Sequence, residues 1–259
     1  MQARDFPFCS PRFAAMAHRG GPTWGPNLGK ENTLAAFTQA VSLGYRYIET
    51  DVQATRDGQL VCMHDSTLAR MCGIKATVAD FTAVELRSLA VAGGEPIPFF
   101  ADVLDALPQT RFNVDLKTVG AVEPMVHLAG SATVRERILV DSFSQIRLSR
   151  FRALTRGTVA TAMAPVGVAW TVFIPYLSQI LASPGVAVQL PYRLKAGPIN
   201  LAVVTAALVA RVHRMGKAIH VWTINEPEDM ERLIDLGVDG IITDRPDLLK
   251  EILLRRDLW

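Results

Sequence analysis

Eight short runs of β-forming residues alternate with amphipathic helical stretches along the whole chain, and this alternation restricts the possible folds more than any other feature of the sequence. The runs are Ala14–His18, Tyr45–Val52, Phe112–Lys117, Ile138–Asp141, Thr158–Ala162, Val186–Leu190, Ala218–Trp222 and Gly240–Thr243. Helical periodicity marks Thr33–Leu43, Val122–Gly130, Ser144–Leu154, Ala202–Met215, Glu228–Leu236 and Asp247–Leu254, several of them with a capping residue before or a Gly after. Strands separated by helices pair in parallel as βαβ units. Eight such units predict a TIM (β/α)₈ barrel, with a doubly wound open sheet as the rival arrangement. At 259 residues, 49% of them hydrophobic, the chain has the length and apolar content for one barrel domain over 1–259.

Between Ser66 and Leu107 the connection is longer than one βα link needs, and Gly73, Gly93, Gly94, Pro96 and Pro98 punctuate it. This reads as a small insertion after strand 2, overhanging the barrel mouth where barrels carry their function. A formal net charge of only +2, with scattered Lys and Arg, gives no nucleic-acid footprint, so a small molecule is the expected partner. Cys9, Cys62 and Cys72 form neither a CxxC pair nor a zinc-finger spacing, which suits a reducing cytoplasm. Arg4, Asp5, Pro7 and Pro11 interrupt the stretch that a secretory signal would need to be apolar. The run Gly157–Tyr192 contains no Asp, Glu, Lys or Arg, but Pro165, Gly167, Pro175, Pro184 and Gly185 cut it into pieces shorter than the roughly 20 residues of a spanning helix. Weak contact with a membrane surface is the most this run implies.

The chemistry concentrates at strand ends. Alternation along a strand puts Glu49 and Asp51 on one face, and Asp115 and Lys117 on one face of the next strand. If those faces are interior, three carboxylates converge, and desolvating them demands a cation; oxygen-only ligands suit a hard divalent ion, Mg²⁺ or Ca²⁺. Ordinary surface salt bridges are the alternative. His18-Arg19 closes the first strand and His64-Asp65 closes the short run Leu60–Met63. Cleaving a phosphodiester takes a base for the attacking oxygen and an acid for the leaving one, and two imidazoles meet that requirement. Arg19 and Lys117 are placed to clamp the non-bridging oxygens. His127 and His213 fall within helices and receive no role; His220 is read as core, and Trp222, nearer its strand's end, as a wall of the substrate pocket. The stretch Gly237–Pro246 is read as a turn into strand 8 followed by a helix start capped by Thr243 or Asp244.

His18-Arg19-Gly20, Glu31-Asn32-Thr33, Glu49-x-Asp51, His64-Asp65, Asp115-x-Lys117, Trp222-Thr223-x-Asn225 and Gly240-Ile-Ile-Thr-Asp244, in this order, resemble the glycerophosphodiester phosphodiesterase family. The resemblance implies a TIM barrel, a divalent metal on Glu49, Asp51 and Asp115, His18 and His64 as general base and acid, Arg19 and Lys117 as phosphate ligands, and Glu31 and Asn32 ordering the loop behind His18. It also implies hydrolysis of a glycerophosphodiester to glycerol 3-phosphate and an alcohol, by direct attack of water or through a cyclic phosphate formed by the glycerol 2-hydroxyl. Where the family usually has Glu-x-Lys this chain has Asp115-x-Lys117, a ligand one methylene shorter, which puts the metal preference in question. A second expectation, motivated by the uncharged run and its Trp170 and Phe173-Ile174-Pro175 turns, is a lysophospholipase D- or sphingomyelinase D-like activity with an apolar rim for an acyl chain. A third is a non-catalytic barrel that only binds phosphodiesters; the presence of a residue for every chemical role argues against it.

Overall fold

The computed structural model describes residues 1–10, 13–91, 94–174, 184–196 and 199–259; Pro11, Gly93 and Pro175, used above, lie outside the described residues. The strands are β1 (Ala14–His18), β2 (Tyr47–Ala54), β3 (Leu60–Cys62), β4 (Arg111–Leu116), β5 (Ile138–Asp141), β6 (Ala160–Thr161), β7 (Ala187–Pro191), β8 (Arg193–Ala196), β9 (Ile199–Ala202), β10 (Ala218–Trp222) and β11 (Gly240–Thr243). Eight of them pair in parallel in the order β6-β5-β4-β2-β1-β11-β10-β7. The two ends meet through a parallel bridge between Ala162 and Ala187. There the Val186 amide donates to the Thr161 carbonyl, and that of Met163 to Ala187, both at 2.7 Å. The sheet is therefore a barrel, and the open-sheet alternative falls away.

Side-chain alternation builds two layers of core. Ala14, Met16, Tyr47, Leu139, Ala160, Ala187 and Ile242 point into the barrel. Their strand neighbours Ala15, Ile48, Val114, Val140, Val188 and Ile241 face outward, toward the helices. Interior alanines on four strands, Ala14, Ala160, Ala187 and Ala218, leave the volume that Met16 and Tyr47 occupy. The N-terminal segment closes the barrel floor, with the Tyr47 hydroxyl donating to the Phe8 carbonyl at 2.8 Å. The Phe8 and Tyr47 rings meet edge-on at 5.2 Å.

Around the barrel run α1 (Leu34–Ser42), α2 (Ala69–Cys72), α3 (Ala83–Leu86), α4 (Phe100–Ala106), α5 (Val122–Leu128), α6 (Ala132–Arg135), α7 (Gln145–Leu154), α8 (Pro165–Phe173), α9 (Ala206–Arg214), α10 (Pro227–Asp235) and α11 (Pro246–Arg255). Three features depart from the sequence reading. The helix expected from Ala202 begins at Ala206, because Ile199–Ala202 pairs with Arg193–Ala196 as a hairpin and Thr205 caps the helix by accepting from Leu208 N. The segment after β2 has a core of its own, including Val61, Met71, Val78 and Leu86, with β3 antiparallel to β2. Its last part is not insertion: Phe100, Val103 and Leu104 of α4 pack in the outer layer of the barrel.

A polar layer crosses the interior. Gln189 Nε2 donates to Asn113 Oδ1 at 3.0 Å and lies 3.1 Å from His220 Nδ1, which must then be the acceptor. His220 is a core residue, as read, and burial depresses its pKa to about 4. The unfolded chain, titrating near 6.5, therefore binds the proton first. Stability is complete above about pH 6.5 and is lost as pH falls toward 4, by about 2 kcal/mol at pH 5. The unfolding free energy from urea titration should fall between pH 7 and pH 5 by about that increment more in the wild type than in His220→Gln; equal falls would show that His220 is not buried in its neutral form.

Candidate active site

The loop that leaves β1 is shaped by glycine. Gly20 and Gly21 both adopt positive φ (+86° and +87°), and a Cβ on them would sit 2.8 Å from Ala36 Cβ and 2.6 Å from Pro246 Cδ. No larger residue fits there. Arg19 and Asn32 also take left-handed backbone, at φ 51° and 56°, and two such non-glycine residues side by side point to a functional constraint. The Arg19 amide donates to the Glu49 carbonyl at 2.9 Å, and Asn32 N to the Arg19 carbonyl at 3.0 Å, so the Glu31-Asn32-Thr33 turn is tied to the end of β1.

His18 is held from both sides. Its Nδ1 donates to Asp244 Oδ1 at 2.6 Å, and its Nε2 lies 3.7 Å from Glu49 Oε2. Asp244 is in turn fixed by Asn225, whose Nδ2 donates to Oδ2 and whose Oδ1 accepts the Asp244 amide, both at 2.9 Å. Burial disfavours the imidazolium, but Glu49 and the Asp244 hydrogen bond outweigh it and hold His18 above its ordinary pKa. This corrects the reading of Asp244 as a helix cap. Helix α11 starts at Pro246 after Arg245, without a side-chain cap, while Thr243 Oγ1 accepts the Arg245 amide.

Three aspartates stand in register on successive strands, Asp51 on β2, Asp115 on β4 and Asp141 on β5, with Glu49 two residues before Asp51. Asp51, 2% exposed, is the hub. Asn32 Nδ2 donates to its Oδ2 at 2.9 Å, Arg19 Nε lies 3.1 Å from the same oxygen, and Lys117 Nζ is 2.9 Å from Oδ1. Burial would raise the Asp51 pKa; Lys117 and Arg19 reverse that and hold it below the usual carboxylate range. Lys117 also donates to Asp115 Oδ2 at 2.9 Å. Burial and the Asp51 charge push Glu49 up to about 8, against the opposing pull of His18 and Arg19. Asp141 rises to about 7, through burial and Asp115. The sequence reading assigned Asp141 nothing, although an acid at a strand's C-terminal end was the signal that found Asp115.

The second histidine follows β3, just ahead of the segment that begins at Ser66. His64 Nδ1 donates to Asp65 Oδ1 at 2.8 Å, and Gln53 Nε2, from β2, donates to the Met63 and Asp65 carbonyls, fixing that turn. Arg70 joins the two histidine loops: its Nε donates to Asp65 Oδ2 at 2.7 Å, its Nη2 to Glu31 Oε1 at 2.6 Å, and Glu31 Oε1 also accepts from Arg19 Nη1 at 3.2 Å. Glu31 thus orders the loop as expected, with Arg70, missed in the sequence, as its second partner.

Glu49, Asp51 and Asp115 offer oxygen donors of the kind a hard divalent cation takes, and Asp115 Oδ1 is buried without a hydrogen-bond partner. As the side chains stand, Lys117 lies between Asp51 and Asp115, and among the described residues no three His, Cys, Asp or Glu side chains are spaced to hold a metal. The donors fit; their spacing would have to close by moving Lys117 aside.

The family description that matches residues 18–248 is the glycerophosphoryl diester phosphodiesterase family. The chain belongs to that family. A protein of Mycobacterium tuberculosis named "Probable glycerophosphodiester phosphodiesterase 2" is 40% identical over 95% of this chain and 92% of its own length. A lysophospholipase D of Rattus norvegicus is 30% identical over 92% of this chain and 85% of its own. An Oleispira antarctica phosphodiesterase, solved in complex with the product sn-glycerol-3-phosphate, superposes with a TM-score of 0.72 at 22% identity, covering 92% of this chain and 96% of that one. Family membership makes the chain a phosphoric diester hydrolase on a TIM barrel.

On the far side of the acid ladder the family barrel opens into an apolar cavity of about 280 Å³ lined by Asp141, Phe143, Val168, Leu190, Leu194 and Trp222, among others. Trp222 is half-buried and meets Phe143 edge-on at 5.8 Å. It walls a cavity that shares Asp141 with the acid ladder.

Proposed function

We propose that the chain hydrolyses glycerophosphodiesters to sn-glycerol 3-phosphate and an alcohol, with His18 as general base and His64 as general acid. The observation that carries the assignment is the Asp244–His18 hydrogen bond: with the Nδ1 proton committed to a carboxylate, Nε2 is left to accept a proton from the nucleophile, water or the glycerol 2-hydroxyl. Asp65 does the same for His64 Nδ1, leaving Nε2 to protonate the departing alkoxide. Arg19 and Lys117 supply positive charge to the phosphoryl oxygens. Glu49, Asp51 and Asp115 would hold a divalent ion, Mg²⁺ or Ca²⁺, whose chemistry is to neutralise charge as it develops on the phosphoryl group. The three unpaired cysteines accord with a cytoplasmic site of action.

A coupled assay for glycerol 3-phosphate release from glycerophosphocholine, with Mg²⁺, Ca²⁺ or EDTA, tests this directly. Turnover that EDTA abolishes and metal restores is expected; activity indifferent to chelation would remove the metal, and no glycerol 3-phosphate would remove the substrate. A second reading has a specific observation behind it: the apolar cavity beside Asp141 and Trp222 has the lining an acyl chain needs, and the rat relative is a lysophospholipase D. Lysophosphatidylcholine in the same assay decides between them. A higher kcat/KM for it than for glycerophosphocholine would make the lysolipid the substrate.

A further inference from the structure

Helix α8 has the wrong surface for a helix in water. Its sequence, Pro-Val-Gly-Val-Ala-Trp-Thr-Val-Phe, has a single polar side chain, and that one, Thr171, is buried with its hydroxyl bonded to the Gly167 carbonyl of the same helix at 2.8 Å. One face, Val168, Ala169 and Val172, lines the apolar cavity; yet Val166, Trp170 and Phe173 are 47%, 36% and 59% exposed. A helix apolar all round is ordinarily buried on every side. The neighbouring elements continue the patch. Phe143 and Ile146, after β5, are exposed, as are Leu194 and Leu201 on the β8–β9 hairpin. Phe143, Phe173 and Leu194 line the same cavity, which places all three elements around one opening at the C-terminal end of the barrel.

Charge is distributed to match. From Ser142 to Asn225 the chain has no Asp or Glu, while carrying seven Arg and two Lys; it holds none of the protein's 25 acidic residues and nine of its 27 basic ones. Of these, Arg147 follows Ile146 at the start of α7, with its Nε on Ser142 Oγ at 2.7 Å, and Arg193 opens the hairpin, 4.6 Å above the Tyr192 ring. Arg193 also pairs with Asp229, at 3.2 Å; an exposed apolar patch flanked by these two arginines, on a stretch with no Asp or Glu of its own, is complementary to a surface that is apolar inside and anionic outside.

We propose that the rim formed by the start of α7, α8 and the β8–β9 hairpin docks the enzyme on an anionic lipid surface. Nine residues of α8 span only about 14 Å, less than half the hydrocarbon thickness, so the helix lies in the interface plane and does not cross it. In this pose the apolar cavity opens toward the lipid. The proposal goes beyond the reaction assigned above, because docking needs no turnover.

The test uses the full chain and sucrose-loaded vesicles of phosphatidylcholine alone or with about 30 mol% phosphatidylglycerol. The wild type should sediment at least about tenfold more with the anionic vesicles, and raising NaCl to about 0.5 M should release most of it. The triple variant Ile146→Glu, Val166→Glu, Leu201→Glu should lose about tenfold in vesicle binding while glycerophosphocholine turnover stays within about twofold of wild type, since none of the three lines the cavity. Trp170→Ser, a milder change, should lose part of the binding and guards against a misfolded triple variant. Wild-type protein that stays in the supernatant with anionic vesicles would overturn the proposal, as would a folded triple variant that sediments normally. So would a wild-type dimer that the triple variant dissolves without any vesicle binding, because the rim would then be a contact between copies of this chain.

Discussion

Replacing His18 with alanine should lower kcat by about 10²–10⁴-fold with little change in thermal stability. The side chain ends at the barrel rim, and its removal takes away two interactions, the Nδ1 bond to Asp244 and the longer Nε2 approach to Glu49. Asp244 keeps Asn225 as a partner on its other oxygen, so the site stays ordered while the proton acceptor is gone. Asp244→Asn separates orientation from chemistry. The imidazole remains, but its Nδ1 proton is no longer fixed by a carboxylate, and turnover should fall between wild type and His18→Ala. Steady-state kinetics with glycerophosphocholine and a melting curve on each variant are the measurements. Wild-type turnover in His18→Ala would remove that residue from the mechanism, and a collapsed melting temperature would recast it as structural.

Asp51→Asn should be costly in both activity and stability. The carboxylate sits 2% exposed between Lys117, Arg19 and Asn32. Neutralising it leaves two cations facing each other with one anion fewer in a site from which water is largely excluded, and removal of one partner from a buried ion pair costs about 3–5 kcal/mol. The same change removes a proposed metal ligand, so kcat/KM should fall by at least about 10²-fold. The two effects separate in the double variant Asp51→Asn, Lys117→Met. With the excess cation also gone, part of the lost stability should return, as the coupling of neighbours in one network requires; activity should not return, because the phosphate clamp is then missing as well. A double variant whose stability loss is the sum of the two single losses would contradict the hub role.

The strands were legible where alternation served both faces of the barrel. Ala14–His18, Ile138–Asp141, Ala218–Trp222 and Gly240–Thr243 are observed with the boundaries read from the sequence. In each, alternate residues divide between the interior and the helix-facing layer, as Ala14 and Met16 do against Ala15 and Ala17, or Leu139 against Ile138 and Val140, so the period of two is clean. Helix α8 was missed for the opposite reason: with apolar residues on every side it has no helical period to detect. Of the β8–β9 hairpin only Ala202 falls in the helix read from the sequence, because Ala202 and Val203 are compatible with either structure, and the rest was not read as strand. Helix α4 was hidden inside a segment whose glycines and prolines look like loop.

Within the site, local pairs were easier to find than distant ones. Glu49 and Asp51, or Asp115 and Lys117, are two residues apart on one strand, and strand geometry alone brings them together. The partner of His18 is 226 residues away. Its local sequence, Thr-Asp-Arg-Pro, satisfies the reading of a helix start, so nothing near Asp244 demanded a second explanation. Barrel closure, which sets β11 beside β1, supplies one. Asp141 is the same kind of case: its neighbour across the ladder, Asp115, makes it part of the site, and that neighbour lies on another strand.

The central claim is a division of labour, in which His18 accepts a proton and His64 donates one. It is tested most directly by comparing two leaving groups in His64→Ala, choline from glycerophosphocholine and p-nitrophenolate from the corresponding glycerophosphodiester. A general acid matters only when the leaving oxygen needs a proton. The account predicts that His64→Ala loses about 10²-fold or more on the choline diester and less than about tenfold on the p-nitrophenyl one, whereas His18→Ala is impaired on both. Equal losses for His64→Ala on the two substrates would contradict it.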